Sequence, residues 1–249
     1  MSAAEKKPYL FSVVIPAHNE EQYIGKCLRA IRAAEEQAAP NSVQIIVVAN
    51  RCTDRTAVIA EKYGAEVLEN DEKCIAAIRN AGAAAATGKI LVTVDADTVI
   101  AKDTLCEIRT KLAGGKYIGG GAMPVFDRAS PGIALTTIYI FFRMLPILIK
   151  HRAMLSGAVF WCRKKDFDAI GGFDASLVSL EDLDFAGRLR QYGAKQGKKY
   201  GTLRAKILTS ARKFDEFGDW YLLKNRKLTK AIFTGKDRAA ADHYYYDVR

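Results

Sequence analysis

Short apolar runs alternate with amphipathic stretches through the first hundred residues. Phe11-Ser-Val-Val-Ile15 is an apolar run closed by Pro16, which reads as a strand. Between Glu20 and Ala33 the apolar residues Ile24, Cys27, Leu28 and Ile31 fall at i, i+3, i+4 and i+7, the stripe of an amphipathic helix. Val43 to Val48 predicts a second buried strand. Thr53-Asp54 then offers N-cap chemistry for a helix reaching Tyr63, which Gly64 stops. Glu66-Val-Leu68 gives a third strand, and a helix over Cys74 to Ala86 leads through Thr87-Gly88 into Ile90-Leu-Val-Thr-Val94. Strands that are apolar without alternation are buried on both faces. Repeated βα units therefore predict an α/β protein with a mostly parallel central sheet between helices.

The regularity fades after Asp97. A helix around Lys102 to Ala113 buries Leu105, Ile108 and Leu112, and a short strand lies in the glycine cluster between Gly114 and Gly121. The longest apolar segment, Ile133 to Ile149, contains Arg143 and Pro146 and falls short of the roughly 20 residues of a spanning helix. It predicts a buried or acceptor-side helix, with interfacial membrane contact as the alternative. A strand over Ala158 to Cys162 and a polar helix over Glu181 to Tyr192 follow. The mixed-charge tail beyond Phe214, with Tyr244-Tyr-Tyr246, is expected to dock on the body or on a partner subunit.

Composition narrows the class. A chain of 249 residues allows one large domain or two small ones. Its five cysteines are scattered and odd in number, with no CxxC pair, which argues against a disulfide framework or a zinc site and for a reducing compartment. No secretory leader is visible, so a cytoplasmic location is expected. The net charge of +10 is uneven: seven Lys/Arg and no acid lie between Arg188 and Lys206. That stretch is either a solvated face or a site for an anionic partner: a nucleotide, an anionic lipid surface or a nucleic acid.

The candidate chemistry gathers at the predicted strand ends. Asp95-Ala96-Asp97 closes the fourth strand, and open α/β sheets bind ligands at strand carboxyl ends. Two carboxylates there suit a divalent cation holding phosphates, or simply cap the next turn. Pro16-Ala17-His18-Asn19-Glu20 and the loop from Asn50 to Thr56 lie on the same rim. Asn50 carries both donors and an acceptor suited to a base edge. Arg79 has the fork of donors that fits a diphosphate, or is simply a surface residue. Glu181, Asp182 and Asp184 open a helix, either as favourable capping or with one carboxylate raised in pKa as a general base. Ser210-Ala-Arg212-Lys213 supplies cations for phosphate. Neither the G-x-G-x-x-G of a dinucleotide fold nor a P-loop occurs after the first two strands, which speaks against a dehydrogenase and a P-loop NTPase.

Taken in order, Val13-Val-Ile-Pro-Ala-His-Asn-Glu-Glu21, Thr53-Asp-Arg-Thr56, Arg79-Asn-Ala-Gly82, Asp95-Ala-Asp97, Gly171-Gly-Phe-Asp174, Glu181-Asp-Leu-Asp184 and Ser210-Ala-Arg212 resemble the inverting family 2 glycosyltransferases of GT-A fold. The resemblance covers about residues 10 to 213. It implies one GT-A domain over 1–213, with a nucleotide-sugar half at 8–98, an acceptor half at 99–213 and a tail at 214–249. It also implies a donor site from Pro16, Ala17, His18, Asn19, Glu20, Asn50, Arg79, Asp95, Ala96 and Arg212. Asp97 would hold Mg²⁺ or Mn²⁺, Asp95 would touch the ribose or sugar, and Asp182 would be the catalytic base with Glu181 beside it. The implied partners are a UDP- or GDP-linked sugar and an unidentified hydroxyl acceptor. A lipid-linked acceptor, peripheral contact with the inner face of the membrane and homo-oligomerisation stay open, and no nucleic acid is expected. The chain departs from the family where Ala49-Asn50-Arg51-Cys52 stands in place of Asp-Asp-Gly-Ser, which leaves the donor nucleotide open. It also lacks the Gln-x-x-Arg-Trp motif and membrane helices of processive synthases, which implies a soluble enzyme making single additions. The rival classes are a sugar nucleotidyltransferase, which would open with a glycine-rich nucleotide loop, and a non-catalytic binding protein on the same scaffold.

Overall fold

A computed structural model describes residues 9–38, 40–151, 157–232, 237 and 239; the Tyr244–Tyr246 segment lies outside these. Its first half is the predicted alternation: β1 (Phe11–Ala17), α1 (Ile24–Ala38), β2 (Val43–Asn50), α2 (Thr56–Lys62), β3 (Glu66–Asn70), α3 (Ile75–Ala84) and β4 (Ile90–Val94). The second half holds β5 (Thr98–Ile100), α4 (Thr104–Ala113), β6 (Tyr117–Gly121), β7 (Val125–Phe126), α5 (Pro131–His151), β8 (Val159–Arg163), α6 (Lys164–Ala169) and α7 (Glu181–Ala194). It closes with β9 (Lys199–Thr202), β10 (Ile207–Thr209), α8 (Arg212–Phe217), α9 (Tyr221–Lys224) and α10 (Arg226–Ile232).

Among the described residues the main sheet has seven strands in the order β3-β2-β1-β4-β8-β6-β9. Its strands run parallel except β8, which lies antiparallel between β4 and β6. The alternation along β1 shows how both faces are covered. Val13 and Ile15 pack with Ile24, Leu28 and Ile31 of α1 and Ile108 of α4. Val14 joins Ile46, Leu91 and Ile78 of α3, and this second cluster continues through Phe185 and Leu189 of α7. Two glycines allow close approaches, one between helix and sheet and one between neighbouring strands. A Cβ on Gly82 would stand 2.3 Å from Val14 Cγ1, so only glycine lets α3 lie so close to β1. A Cβ on Gly120 would stand 2.0 Å from the Gly201 carbonyl oxygen, so β6 and β9 require its absence.

Three features differ from the sequence-based expectations. First, β4 ends at Val94, and Asp95 to Thr98 form a turn in which the Asp95 carbonyl accepts from the Thr98 N–H at 3.0 Å. The two aspartates therefore project from a turn, not from alternate positions of a strand. The chain turns because Thr98–Ile100 starts a second sheet, ordered β5-β10-β7. Second, α2 begins at Thr56 with Arg55 in the N-cap position, and Asp54 supplies the expected capping carboxylate from one residue further out, accepting from Thr56 N at 2.9 Å and from its Oγ1 at 2.5 Å. Third, the long apolar helix is not buried. α5 runs for 21 residues with Pro146 inside it, and Pro131–Ile149 is long and apolar enough to cross a membrane. Only one side packs on the body, through Ile133 on Phe214 and through Met144 and Leu148 on Leu183.

The described part of the tail docks on the body. Arg128 pairs with Asp219 at 2.8 Å, and Thr136 Oγ1 donates to the Asp219 carbonyl at 2.7 Å. The Ser179 hydroxyl donates to the Ile232 carbonyl at 2.7 Å, tying α10 to the approach of α7. In the basic stretch, Arg188 is neutralised by Asp184 at 2.6 Å, while Lys195 and Lys199 are exposed at the end of α7 and on edge strand β9.

Candidate active site

Two loops at the carboxyl ends of β1 and β2 are laced into one wall. Asn19 adopts the left-handed conformation (φ 51°), which asparagine tolerates well, and its Oδ1 accepts from the Thr53 N–H at 2.9 Å. The Glu20 N–H donates to Thr56 Oγ1 at 2.7 Å, and the Glu21 N–H donates to Asp54 Oδ2 at 2.9 Å. His18 Nδ1 donates to the Asn50 carbonyl at 2.6 Å. Pro16 and Ala17 are the last residues of β1, paired with Val48 and Ala49, so they contribute buried backbone to the wall. Ala96 is buried in the core beneath the Asp95–Thr98 turn.

Asn50 has a task the sequence did not disclose. It is fully buried, and its Nδ2 donates to the Asn70 carbonyl at 2.9 Å and to the Glu72 carbonyl at 2.9 Å. Its Oδ1 accepts from Arg51 Nε at 3.2 Å. The amide nitrogen ties the end of β2 to the end of β3 and the amide oxygen is taken by the neighbouring Arg51, so the side chain does not present the free edge expected for reading a base.

The charged residues form two linked clusters. In the first, Glu20 is buried and receives both arms of Arg212, at 2.7 Å on Oε1 and 2.5 Å on Oε2. Arg212 also lies 3.2 Å from Asp97 Oδ2 and 4.8 Å from the centre of the Tyr23 ring. The expected phosphate cation is thus anchored by Glu20 and aimed at Asp97. In the second, Arg79 is buried and bridges Glu181 Oε1 at 2.7 Å and Asp95 Oδ1 at 3.0 Å. The Phe173 and Phe160 rings lie 5.3 Å and 6.0 Å from its guanidinium carbon. Burial opposes its charge, but Asp95 and Glu181 more than offset this and hold the guanidinium ionised. Next to it, Asn80 Nδ2 donates to the Phe173 carbonyl at 2.8 Å and Oδ1 accepts from the Phe173 N–H at 2.9 Å. The Arg79-Asn80 pair therefore clamps the Gly171–Asp174 loop and the head of α7 onto α3. Burial and the Glu181 charge push the Asp182 carboxyl up to about 7, although Arg79 and the Leu183 N–H on its Oδ1 at 2.8 Å pull the other way.

Asp95 and Asp97 share one turn, Asp95 is joined through Arg79 to Glu181, and Asp182 is the next residue. The expected donor-side and acceptor-side acids thus meet in one network. Tyr23 and Cys27 were not foreseen. Cys27 Sγ lies 3.7 Å from the Asp95 carbonyl, and burial, then Asp97 and Asp95, push its thiol far up, which makes it inert as a nucleophile. Tyr23 and Cys27 lie four residues apart on or beside α1, a spacing that serves core packing equally well and so gave no signal. Among the described residues no three His, Cys, Asp or Glu gather as a self-sufficient metal site. The set that is present, Asp97 with Asp95 beside it, suits a hard cation that takes most of its ligands from substrate phosphates and water.

A parallel sheet interrupted by one antiparallel strand, with acids gathered at the turn after β4, defines the GT-A class of nucleotide-sugar transferases. The chain belongs to glycosyl transferase family 2, whose profile matches residues 12–171. It is 28% identical over 192 residues to the poly(ribitol-phosphate) beta-N-acetylglucosaminyltransferase TarS of Staphylococcus aureus, covering 70% of this chain and 31% of TarS. It is 27% identical over 191 residues to the glycosyltransferase AglE of Haloferax volcanii, covering 73% of this chain and 62% of AglE. The chain therefore spans about a third of TarS and under two thirds of AglE. The crystal structure of S. aureus TarS 1–349 in complex with UDP-GlcNAc superposes with a TM-score of 0.62 at 20% identity, covering 94% of this chain and 70% of that one. A mannosyltransferase from Pyrobaculum calidifontis in complex with GDP-Man and Mn²⁺ gives 0.60 at 15% identity, covering 99% and 74%.

Proposed function

We propose that this glycosyltransferase works by inversion and depends on a divalent metal, moving a sugar from a UDP- or GDP-linked donor to an acceptor hydroxyl with Asp182 as general base. The observation that carries the reading is the Asp95–Arg79–Glu181 bridge. It ties the turn bearing Asp97 to the head of α7, so a donor held at the turn and an acceptor held at the helix would lie next to each other. Asp182, held near neutrality, is matched to taking a proton from an alcohol at physiological pH.

In this reading the β1–α1 loop, with His18, Asn19 and Glu20, and the backbone after Asn50 cradle the nucleoside. Asn50 acts by holding that wall in shape. Asp97 would bind Mg²⁺ or Mn²⁺, with Asp95 alongside on the ribose or sugar. When bound, the cation offsets charge gathering on the leaving diphosphate. Arg212, fixed by Glu20, adds a second positive group at the same place. Arg79 is a positioning residue: both of its arms are taken by carboxylates, so it orients Asp95 and Glu181 and does not itself reach for phosphate. Asp182 receives the acceptor proton as the hydroxyl oxygen bonds to the anomeric carbon and the bond to the diphosphate breaks on the opposite face.

TarS with UDP-GlcNAc and the Pyrobaculum enzyme with GDP-Man keep both nucleotides open. Donor hydrolysis screened across UDP- and GDP-sugars with Mn²⁺ tests the reading. Turnover of at least one donor, lost on chelation, is expected. A nucleotide panel that neither turns over nor raises the melting temperature would favour the non-catalytic scaffold.

A further inference from the structure

We infer that α5, together with α9 and α10, is a docking surface for an anionic lipid bilayer. Leu135, Ile138, Phe142, Leu145 and Ile149 recur at steps of three and four residues and so lie along one face of α5. That face looks outward: Ile138 is 50% exposed, Phe142 64% and Ile149 68%. Large apolar side chains scattered singly on a surface need no explanation, but a continuous strip four turns long does. Trp220, itself exposed, abuts the first turn of α5, where a Cβ on Gly132 would stand 3.1 Å from its ring. Tryptophan at the edge of an apolar surface is at home at the level of lipid headgroups.

Charge selects the occupant. α9 and α10 pack beside α5, with Leu222 and Ile232 against Ile140. They carry Lys224, Arg226, Lys227 and Lys230, all exposed, and no Asp or Glu occurs from residue 220 to 236. None of these four is ion-paired among the described residues. A second copy meeting this face would crowd like charges together, whereas an anionic headgroup layer neutralises them. The helix lies in the interface and does not cross it, because Met144 and Leu148 are held against Leu183. Leu183 follows Asp182, so docking would bring the bilayer to within one helix layer of the proposed base, on the side suited to a lipid-linked acceptor.

The test is flotation of the full chain with phosphatidylcholine vesicles, with and without phosphatidylglycerol, at low and high salt. Binding is read without turnover, so it stands or falls apart from the proposed reaction. We expect binding to the phosphatidylglycerol vesicles at low salt, and loss of binding at high salt and on phosphatidylcholine alone. Each cation near an anionic surface contributes about fivefold, so Lys224→Gln with Lys227→Gln should weaken partitioning about 25-fold. Ile138→Glu with Phe142→Glu should abolish it while melting and circular dichroism stay unchanged, since both side chains are exposed. No partitioning onto phosphatidylglycerol, or variants that bind like the parent, would overturn the proposal. A dimer by light scattering that the glutamate pair dissociates, without vesicle binding, would assign the face to a second copy instead.

Discussion

Replacing Asp182 by asparagine removes the proposed proton acceptor and changes little else. The side chain keeps its volume, and its amide oxygen can still accept the Leu183 N–H now made to Oδ1 at 2.8 Å. A positioned general base is worth about 10² to 10⁴ in rate, so kcat should fall by that factor. Donor affinity should hold within about twofold, because the cleft's donor side is untouched. The pH profile adds an independent signature. Burial and Glu181 place the Asp182 carboxyl at about 7, so the reactive carboxylate is lost as pH falls through that value. The kcat/KM of the parent enzyme should drop about tenfold per unit below it, and the asparagine variant should show no such limb. Glu181→Gln removes the main charge raising Asp182 and should move the limb to lower pH. The assay is initial-rate donor turnover across pH, with donor affinity by calorimetry. A variant with near-parental turnover, or a parent profile flat from pH 5 to 8, would refute the role given to Asp182.

The same substitution should stabilise the fold at alkaline pH. The folded Asp182 holds its proton to higher pH than the unfolded residue, so stability falls as pH rises from the ordinary carboxylate range through about 7. Asp182→Asn should therefore melt above the parent at pH 8, with the gap closing toward pH 5; an equal gap at both would count against the raised pKa. Arg79→Met strands the buried Glu181 carboxylate and should cost about 3 to 5 kcal/mol by urea unfolding, the penalty for removing one member of a buried pair, while the more exposed Asp95 regains water. Gly120→Ala should cost about 1 to 3 kcal/mol or more in the same measurement, because the added Cβ would sit 2.0 Å from the Gly201 carbonyl oxygen. Asp97→Ala should erase the Mn²⁺-dependent part of donor affinity in calorimetry; an unchanged metal-dependent part would remove Asp97 as the ligand.

The sequence showed most plainly what periodicity encodes. The run Ile90 to Val94 and the stripe Ile24, Cys27, Leu28, Ile31 report their elements locally, and both are where they were expected. β5 was not legible, because three residues after a turn carry no pattern, and its partner β10 comes more than a hundred positions later. The exposure of α5 was also hidden: an apolar helix looks the same whether it faces a core or a membrane. At the site, sequence order named acids that the fold links through Arg79 and Arg212, but it could not say what each side chain touches. Asn50 looked available for a base, yet its amide is spent on Asn70, Glu72 and Arg51. Arg79 looked like a diphosphate ligand, yet Glu181 and Asp95 already claim its donors. A polar residue type announces capacity, and only the fold shows which partners have taken it.

The most direct test of the account is stereochemical. Proton NMR of the sugar first released or transferred from an α-linked UDP- or GDP-sugar reads the configuration at the anomeric carbon. Attack by a hydroxyl activated at Asp182, from the side opposite the diphosphate, gives the β product; an α product would contradict it.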